Sequence, residues 1–388
     1  MSKCPPKYQL AIVGAGAVGL FLGICLEQVG ISCVILEKRE EVRKGSRSLG
    51  IHPTSLELFA KLNIADNFTQ QGIKITNGHA FSNTKKLGTL SFEQCTKPFN
   101  FILALPQERT EKILQDELNK RNPNIIKRGA KVSSITQNKQ QAIVSFHYRG
   151  KQQKVNADYV IGCDGKNSMV RQQMDSSFDG RSYPDTYIMG DFDDNTEFGT
   201  DAAIFLCDEG LIESFPLPKQ KRRWVIKTDQ YIKNPNRADI LDRLQNRIAH
   251  SLAGATHSML SSFGVQKLVA HPMVDNRIIL VGDSAHVVSP IGGQGMNLGW
   301  LGAWKLAESF HHIFNKGEKA DANLKDFENE HTVTTRNCMR RAELNMRLGR
   351  RVAFPSARNL VVKAMLQKPI SKLMAKLFTM RGIDRWII

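Results

Sequence analysis

The pattern of hydrophobic and polar positions at the start of the chain predicts a strand, a helix and a second strand. Gln9–Val13 is a short apolar run that ends in glycines, and the apolar residues of the segment 20–29 recur at helical spacing. Gly30 ends this helix, and Ser32–Leu36 is a second apolar run that closes on Glu37. Short apolar runs bounded by turn residues are typical of buried strands. The N-terminal segment is therefore predicted to form a β-turn-α-β unit.

Further elements follow in the first half of the chain. Helices are predicted at Thr54–Lys61 and Pro106–Lys120, with glycine-spaced strands between residues 72 and 92. Three short antiparallel strands are predicted at Val132–Gln137, Ala142–Tyr148 and Val155–Asn156. A separate buried strand begins at Ala157 and ends in Asp164-Gly165.

The pattern changes between residues 178 and 274, where strands alternate with few long helices. The predicted elements there are strands at Tyr187–Phe192, Ala203–Phe205, Ile212–Pro216 and Arg223–Lys227 and a helix near Ala238–Ala253. A buried strand, Arg277–Val281, then closes on Gly282-Asp283, and a glycine-rich turn at residues 290–298 opens a helix that reaches Phe314. An antiparallel sheet inserted in this way is a natural cover for a substrate.

These elements predict the α/β class, with a Rossmann-type nucleotide-binding domain, an inserted antiparallel β-sheet and C-terminal helices. We expect the nucleotide-binding domain to consist of residues 1–75, 95–178 and 270–330. Residues 76–94 and 179–269 are predicted to form the substrate-binding sheet, and residues 331–388 a basic helical region.

The turn after the first strand carries the Gly-x-Gly-x-x-Gly pattern of a dinucleotide site. Gly14 permits the tight turn, Gly16 lets the backbone approach a pyrophosphate, and Gly19 lets the helix pack on the strand. Ala17 and the residue after it begin the helix, whose N-terminus favours negative charge. Glu37 lies 18 residues beyond Gly19, where a carboxylate accepts hydrogen bonds from a ribose. The pattern predicts a bound adenine dinucleotide.

Composition agrees with an ordinary soluble enzyme. The 388 residues are 41% hydrophobic and 23% charged, and no apolar run approaches the ~20 residues that span a bilayer. The start of the chain lacks the layout of a signal peptide, so a cytoplasmic location is expected. The seven cysteines include no Cys-x-x-Cys and no cluster with histidine at zinc spacing, so neither a disulfide framework nor a metal site is predicted.

The net charge of +17 is unevenly distributed. Residues 331–388 hold thirteen Lys and Arg against two acids, which accounts for +11 of the total. No zinc finger or aromatic-interleaved basic motif is present, so nucleic acid is not expected as a partner. Apolar residues of the segment 360–378 recur at helical spacing. Such helices either pack on their own domain with a solvated basic face or lie on an anionic membrane surface, and both alternatives stay open.

Three separated motifs, taken in order, resemble the para-hydroxybenzoate hydroxylase-like flavoprotein monooxygenases. They are the fingerprint at Gly14–Gly19, the Asp164-Gly165 segment that ends in Arg171, and Gly282-Asp283 before the glycine-rich turn. The resemblance covers nearly the whole chain and implies a GR2-like FAD-binding domain. In that family the first motif holds the ADP half of FAD, the second lies near the pyrophosphate and the NAD(P)H path, and the third binds the ribityl chain.

The resemblance also assigns individual positions. Arg47 matches an arginine near the flavin, Arg109 one that touches the phosphates or ribityl, and Val132 a backbone contact to adenine. Gly295–Asn297 open a helix whose N–H groups would face the flavin and stabilise its anionic reduced form. The predicted FAD-contacting positions are Gly14, Gly16, Ala17, Val18, Gly19, Glu37, Lys38, Arg47, Arg109, Val132, Asp164, Asp283, Pro290, Gly293, Gly295, Met296 and Asn297.

The activity that the resemblance implies is hydroxylation of an aromatic or phenolic substrate with NADPH or NADH and O2, through a flavin C4a-hydroperoxide. The substrate class extends to hydrophobic, polyketide-like or lipid-like phenols. Two alternatives remain, namely a flavin-dependent reductase of an isoprenoid double bond and a non-catalytic lipid-binding protein of the same fold. No catalytic base is assigned, and the candidates are His79, Tyr183, Tyr187, His271 and His286.

Overall fold

The fold is built from two large β-sheets with helices packed around them. The computed structural model describes residues 5–42, 45 and 48–383. In chain order the strands are β1 (Lys7–Val13), β2 (Cys33–Glu37), β3 (Gly50–Ile51), β4 (Ile73–Ile75), β5 (Asn77–Ser82), β6 (Lys85–Ser91), β7 (Ile102–Ala104), β8 (Ile126–Arg128), β9 (Lys131–Gln137), β10 (Ala142–Tyr148), β11 (Lys151–Gly162), β12 (Ser177–Asp193), β13 (Ala202–Cys207), β14 (Gly210–Leu217), β15 (Lys221–Thr228), β16 (His257–His271), β17 (Val274–Asp275), β18 (Ile278–Leu280) and β19 (His286–Val287).

The helices lie mainly at the two ends of the chain. They are α1 (Ala17–Gln28), α2 (Pro53–Lys61), α3 (Ala65–Thr69), α4 (Gln107–Arg121), α5 (Met169–Gln173), α6 (Arg237–Ile248), α7 (Gln294–Asn315), α8 (Ala320–Gly349), α9 (Pro355–Met365) and α10 (Ile370–Phe378), with a 3-10 turn at Gly282–Ser284. Within the described ranges, none of these helices is both long and apolar enough to cross a membrane.

The first sheet is the nucleotide-binding layer. Its strand order is β17-β18-β11-β1-β2-β8, and β10 and β9 extend it as an antiparallel arm from β11. The pairs β1/β11, β1/β2, β11/β18 and β2/β8 are parallel, whereas β17 is antiparallel to β18. Residues of β1 and β2 are buried on both faces, which explains why these strands are continuous apolar runs. The predicted Rossmann-type α/β architecture is confirmed.

One strand that the sequence divides in two is continuous in the structure. The predicted strand at Val155–Asn156 and the buried strand after it are both part of β11. The first half of β11 pairs antiparallel with β10, and its second half pairs parallel with β1. The prediction of separate strands is therefore wrong. Polar side chains at the exposed start of β11 hid its continuity, because that half meets only one neighbouring strand.

The second sheet forms one long wall. Its order is β19-β16-β12-β15-β14-β13-β5-β6, and β5 pairs parallel with β13, which joins residues 77–91 to it. Strands β12 and β16 are 17 and 15 residues long. The predicted boundaries at 178/179 and 269/270 fall inside these two strands, and 330/331 falls inside α8. Single strands and a single helix thus continue across the predicted boundaries. The division into domains at these residues stays a prediction.

The C-terminal helices pack on the chain's own second sheet, as one of the two alternatives expects. Met374, Ala375 and Leu377 of α10 are buried in a cluster with Leu90 of β6 and Leu217 of β14. Both α9 and α10 lie in the segment where helical spacing was predicted.

Helix α7 is tied to the fingerprint helix by a buried tryptophan. Trp300 is fully buried, and its indole Nε1–H donates to the carbonyl of Ala17 at 2.9 Å. Its ring meets Phe59 edge-on at a centroid distance of 4.9 Å. Gly299 allows this approach, because a Cβ there would lie 2.5 Å from a methyl group of Val18. The start of α1 therefore has its position set by α7.

Replacing this tryptophan should loosen both helices. We expect Trp300→Phe to lower the free energy of unfolding by about 1–3 kcal/mol, because it removes one buried hydrogen bond and part of a packed ring. Urea unfolding followed by circular dichroism measures this change. Trp304→Phe is the matched control, since Trp304 is only partly buried and its indole bonds to the exposed Glu308. Equal losses in the two variants would contradict the assignment.

Candidate active site

A cavity of about 1570 Å³ joins the fingerprint to the wall formed by the second sheet. Most of the predicted FAD-contacting positions line it. They are Gly14, Gly16, Ala17, Val18, Glu37, Lys38, Val132, Asp164, Asp283, Pro290, Gly293, Gly295 and Met296. The three motifs, far apart in sequence, therefore open into the same space.

The fingerprint glycines have distinct geometric reasons to be glycines. Gly14 has φ +108°, and a Cβ there would lie 2.4 Å from the carbonyl oxygen of Cys163. A Cβ on Gly19 would lie 2.0 Å from the carbonyl oxygen of Gly14, so α1 rests directly on the turn. Gly16 differs, because a Cβ there would meet only Glu111, at 3.9 Å. The backbone at Gly16 is open to the cavity, as a pyrophosphate contact requires.

Glu37 at the end of β2 is buried with both carboxylate oxygens engaged. One oxygen accepts from the N–H of Ala15 at 2.7 Å. The other accepts from the backbone N–H of Arg39 at 2.9 Å and from its guanidinium Nε at 3.0 Å. Burial raises the pKa of Glu37, but these hydrogen bonds outweigh it and leave the pKa below its ordinary value. Glu37 is thus held ionised, and a carboxylate retains lone pairs for ribose hydroxyls.

The Asp-Gly motif after β11 is fastened to the Gly-Asp motif after β18. Asp164 accepts from the N–H groups of Met169 and Val170 at 2.7 and 3.2 Å, which caps α5. Arg171 donates to the carbonyls of Lys166 and Ser284, both at 2.8 Å. The guanidinium group therefore bridges the two turns, and each turn presents its aspartate to the cavity.

Asp283 faces the cavity from the 3-10 turn. Its side chain is accessible from the cavity, yet protein surrounds the cavity at this point. Burial raises the pKa of Asp283 to about 6, and the positive charge of Lys166 partly opposes this rise. A hydroxyl group that donated to this carboxylate would favour its ionised form.

The N-terminus of α7 contributes backbone to the same space. Gly293, with φ +64°, begins the helix without a side-chain cap, and Gly295 and Met296 line the cavity beside it. Asn297 does not line it. Its side-chain oxygen accepts from the N–H of His52 at 2.8 Å, and its Nδ2–H donates to the carbonyl of Gly293 at 2.8 Å. Asn297 positions the loop around the site instead of facing the cavity.

Three other predicted positions differ from the group that lines the cavity. Gly19 lies behind the turn, where it contacts Gly14 and Cys163. Arg109 is exposed on α4, and its Nε donates to Gln71 at 2.7 Å. The structure does not bring Arg109 to the other residues, because the first turn of α4 directs Gln107 and Glu108 to the cavity. Arg47 lies outside the described residues.

The candidate bases are mostly engaged elsewhere. His79 lines the cavity, but its ring nitrogens contact Thr89 at 3.0 Å and Asp201 at 3.1 Å. Tyr187 is buried, and its ring stacks on Phe263. The remaining candidates lie away from the cavity wall, with Tyr183 bonded to Glu343, His271 exposed, and His286 buried against His331 at 3.0 Å. Burial places the pKa of His286 well below its ordinary value.

Sequence reasoning missed three side chains that line the cavity, namely His52, Glu111 and Glu213. Burial lowers the pKa of His52 to about 4, and its Nε2 lies 3.0 Å from the carbonyl oxygen of Gly292. Burial raises the pKa of Glu111 beside the fingerprint. Burial alone raises the pKa of Glu213, on β14, to about 8. Alternation along a strand would have placed Glu213 on one face with Leu211 and Phe215, but it could not show which face meets a cavity.

The sequence is similar to an FAD-binding family and to several flavin monooxygenases. A family described as FAD binding domain matches residues 7–342. An uncharacterized aromatic compound monooxygenase of Bacillus subtilis is 29% identical over 358 residues, which are 88% of this chain and 69% of the relative. A rifampicin monooxygenase of Streptomyces venezuelae is 28% identical over 311 residues, 77% of this chain and 64% of the relative. The chain thus spans about two thirds of the length of these relatives.

Solved structures agree on the fold. A p-nitrophenol 4-monooxygenase of Pseudomonas putida superimposes with a TM-score of 0.89 at 18% identity, covering 99% of this chain and 100% of the other. The anhydrotetracycline hydroxylase of Streptomyces rimosus gives a TM-score of 0.79 at 25% identity, covering 96% and 76%. The chain belongs to the FAD-binding family of para-hydroxybenzoate hydroxylase-like aromatic monooxygenases. The resemblance that the motifs indicate is confirmed, and the cofactor of this family is FAD.

Because its pKa is raised, Asp283 should make the stability of the folded chain depend on pH. Its pKa of about 6 in the folded chain exceeds the ordinary value of 3.8, so folding favours the protonated acid. Stability from this group is present below pH 3.8 and is lost as the pH rises through 6. Because Asp283 is exposed to the solvent-filled cavity, screening reduces this contribution, and we expect Asp283→Asn to melt only slightly above the parent protein at pH 8 and equally with it near pH 3.8, when both lack FAD.

The same substitution should weaken FAD binding at pH 8. A hydrogen bond from a ribityl hydroxyl to a carboxylate is lost, and we expect the dissociation constant to rise about 10-fold or more. Quenching of FAD fluorescence measures it. Asp116→Asn, on α4, removes the same charge from a half-buried carboxylate that pairs with Lys112 outside the cavity, and it should leave the FAD affinity unchanged. Unaltered FAD affinity in Asp283→Asn would disprove the role of this carboxylate.

Proposed function

We propose that this chain is an FAD-dependent monooxygenase that uses NAD(P)H and O2 to hydroxylate a largely apolar aromatic or phenolic substrate. The balanced reaction consumes substrate, O2, NAD(P)H and one proton and gives hydroxylated product, water and NAD(P)⁺. The observation that carries the proposal is the continuous cavity, because it joins the fingerprint and Asp283 to the face of the second sheet. A bound flavin and a substrate would share that space. The need for NAD(P)H fits a cytoplasmic location.

The residues at one end of the cavity suit FAD. The backbone at Gly16 and the N-terminus of α1 offer N–H groups to a pyrophosphate, Glu37 offers a carboxylate to the ribose, and Asp283 offers one to the ribityl chain. The start of α7 at Gly293 presents the positive end of a 22-residue helix to the cavity. When bound, FAD takes electrons from NAD(P)H and activates O2, which is chemistry that the protein side chains do not supply.

The other end of the cavity suits an apolar ring. The second sheet turns a nearly continuous apolar face toward it, formed by Met189, Ile204, Leu206, Leu211, Phe215, Val225 and Phe263. Val362, Met365 and Leu366 of the C-terminal region line it as well. Among the described residues, Arg223 is the one Lys or Arg of this sheet that lines the cavity, and its Nε and Nη2 donate to the Asp191 carboxylate at 2.6 and 2.8 Å. Such a wall excludes water and binds an aromatic ring through the apolar surface that the two bury together.

The first experiment measures NADPH oxidation and O2 uptake together, with a series of 4-alkylphenols of increasing chain length. We expect both rates to rise in parallel, with longer alkyl chains giving lower KM values because they bury more apolar surface. Turnover of NADPH with product formation in the absence of O2 would favour the reductase alternative instead. Protein that binds phenols but oxidises no NADPH, even with FAD added, would favour the non-catalytic binder.

We further propose that helix α9 contacts an anionic membrane surface. Val362 and Met365 of α9 line the cavity, while Leu360 and Val361 of the same helix are 70% and 54% exposed. Phe354, just before the helix, is 77% exposed. Residues 344–383 hold nine Lys and Arg and no acid, and among these cations Arg350 is paired with Asp185. Apolar side chains among cations are what an anionic lipid surface binds.

Flotation with phosphatidylserine-containing vesicles tests this contact. We expect the double variant Leu360→Ser, Val361→Ser to bind these vesicles about 10-fold more weakly, because two exposed apolar side chains no longer enter the lipid. Vesicles of phosphatidylcholine alone should bind the parent protein weakly. Val333→Ser is the matched control, since Val333 is 48% exposed on the distant helix α8. Equal flotation of parent and double variant would remove the membrane from the proposal.

A further inference from the structure

A single carboxyl group interrupts the apolar wall of the second sheet. Glu213 lies in the middle of β14 and is 7% exposed, and what exposure it has is to the cavity. Across the sheet it faces Ile204 of β13 and Val225 of β15. Along its own strand the neighbours on the same face are Leu211 and Phe215. These four neighbours are apolar, and the cations Arg223 and Lys227 of β15 stand at the diagonal positions on the same face.

The described residues supply no hydrogen-bond or ion-pair partner to this carboxyl group. Buried acids without a partner are rare, because removing a carboxylate from water costs several kcal/mol. Burial accordingly raises the pKa of Glu213 to about 8. Such a carboxyl group does not stabilise the fold. A molecule bound in the cavity could supply the hydrogen-bond partner that it lacks.

Several charged and titratable groups lie around Glu213: Lys227 of β15 stands at a diagonal position on the same face, and the others are paired or protonated. On β15, Arg223 is paired with Asp191 of β12. Burial raises the pKa of Tyr187, on β12, and the charge of Glu213 raises it further, so the phenol stays protonated. Among the described residues, the buried Tyr187 hydroxyl has no hydrogen-bond partner either. Behind it, Arg350 at the end of α8 is paired with Asp185 at 2.5 Å.

We propose that Glu213 is a catalytic residue that contacts the substrate, accepting first the hydrogen bond and then the proton of its phenolic hydroxyl. The inference rests on the proposed function and narrows its substrate class to neutral phenols with a donor group aimed at β14. The phenolic O–H bond breaks, its electron pair stays on oxygen, and the proton forms the carboxylic acid of Glu213. The phenolate ring is then richer in electrons toward an electrophilic oxygen. The oxygen of the product takes the proton back.

The placement favours a neutral donor over an anionic substrate. A benzoate-like carboxylate next to Glu213 would bring two negative charges together in an apolar wall. An analogue that carries a methyl group in place of the hydroxyl has nearly the same volume but offers the ionised carboxylate no donor. Sites built to bind a hydroxyl group reject the analogue that lacks it, because a buried polar group is then left unpaired.

The test compares the binding of 4-propylphenol and 4-propyltoluene to the FAD-loaded protein by calorimetry at pH 9, where Glu213 is ionised. We expect the parent protein to bind the phenol about 10-fold to 100-fold more tightly than the analogue, because the phenol donates a hydrogen bond to a charged group. Glu213→Leu should lose this preference, and Glu213→Gln should retain part of it, because an amide oxygen still accepts. Glu209→Gln is the matched control, since Glu209 is exposed in the turn before β14, and its preference should equal that of the parent.

Turnover separates proton transfer from binding. For the parent protein, kcat/KM for the phenol should rise with pH through about 8, because the ionised carboxylate is the base. In Glu213→Gln the profile should lose this rise, and kcat should fall about 10²-fold or more with a smaller change in KM. An unchanged pH profile in Glu213→Gln would overturn the proton transfer. A preserved preference for phenol in Glu213→Leu would overturn the contact itself.

A measurement without any substrate checks the premise and shows that the variants fold. The pKa of about 8 in the folded chain lies above the ordinary 4.5, so stability from the acid is present below pH 4.5 and is lost as the pH rises through 8. Glu213→Gln should therefore melt increasingly above the parent as the pH rises from 5 to 9. A constant difference would sink the inference. If the parent binds no phenol at all, the proposed function falls with it, whereas binding with unchanged preference removes only the role of Glu213.

Discussion

The cofactor end of the molecule depends on the close approach of two backbone turns. The turn after β1 and the turn after β11 lie so near each other that a Cβ on Gly14 would be 2.4 Å from the carbonyl oxygen of Cys163. This contact sets the position of α1, and the tie from Trp300 to Ala17 then sets α7 against α1. Arg171 extends the chain of contacts to Ser284. Because each step is a buried backbone or side-chain contact, the cavity surface at this end has few alternative arrangements.

The other end of the cavity is governed by a different constraint, which is the near absence of unbalanced charge. The Arg223–Asp191 pair is buried and bidentate, and the two groups neutralise each other where the sheet meets the cavity. Apolar side chains occupy most of the remaining face. A cofactor that handles reactive oxygen needs such surroundings, because water and mobile ions would divert the chemistry. Polar groups are thus concentrated at the cofactor end. At the substrate end, binding depends on the shape of the cavity and on Glu213.

Much of the fold follows from local sequence signals, and most of the cofactor end does too. The fingerprint, Glu37 and Asp283 each stand at the end of an apolar run, so the chain itself shows that they lie at the carboxyl ends of buried strands. Arg109 and Asn297 were less predictable, because one turn of a helix decides whether a side chain meets the cavity or a neighbouring loop. Glu213 carried no signal of its own. Its burial depends on α9 and the end of α8 covering the sheet, which no local pattern around residue 213 records.

The cost of Glu213 to the fold is the reason to regard it as functional. An apolar residue at that position would continue the face of Leu211 and Phe215 without desolvating an acid, so stability alone would select against the carboxyl group. Local rules of packing are broken most often where a site needs a group in a particular protonation state. The same wall explains how one acid could govern specificity. In a cavity whose other contacts are apolar and therefore tolerant of small changes in shape, a single unpaired polar group imposes the strongest chemical requirement on whatever binds there.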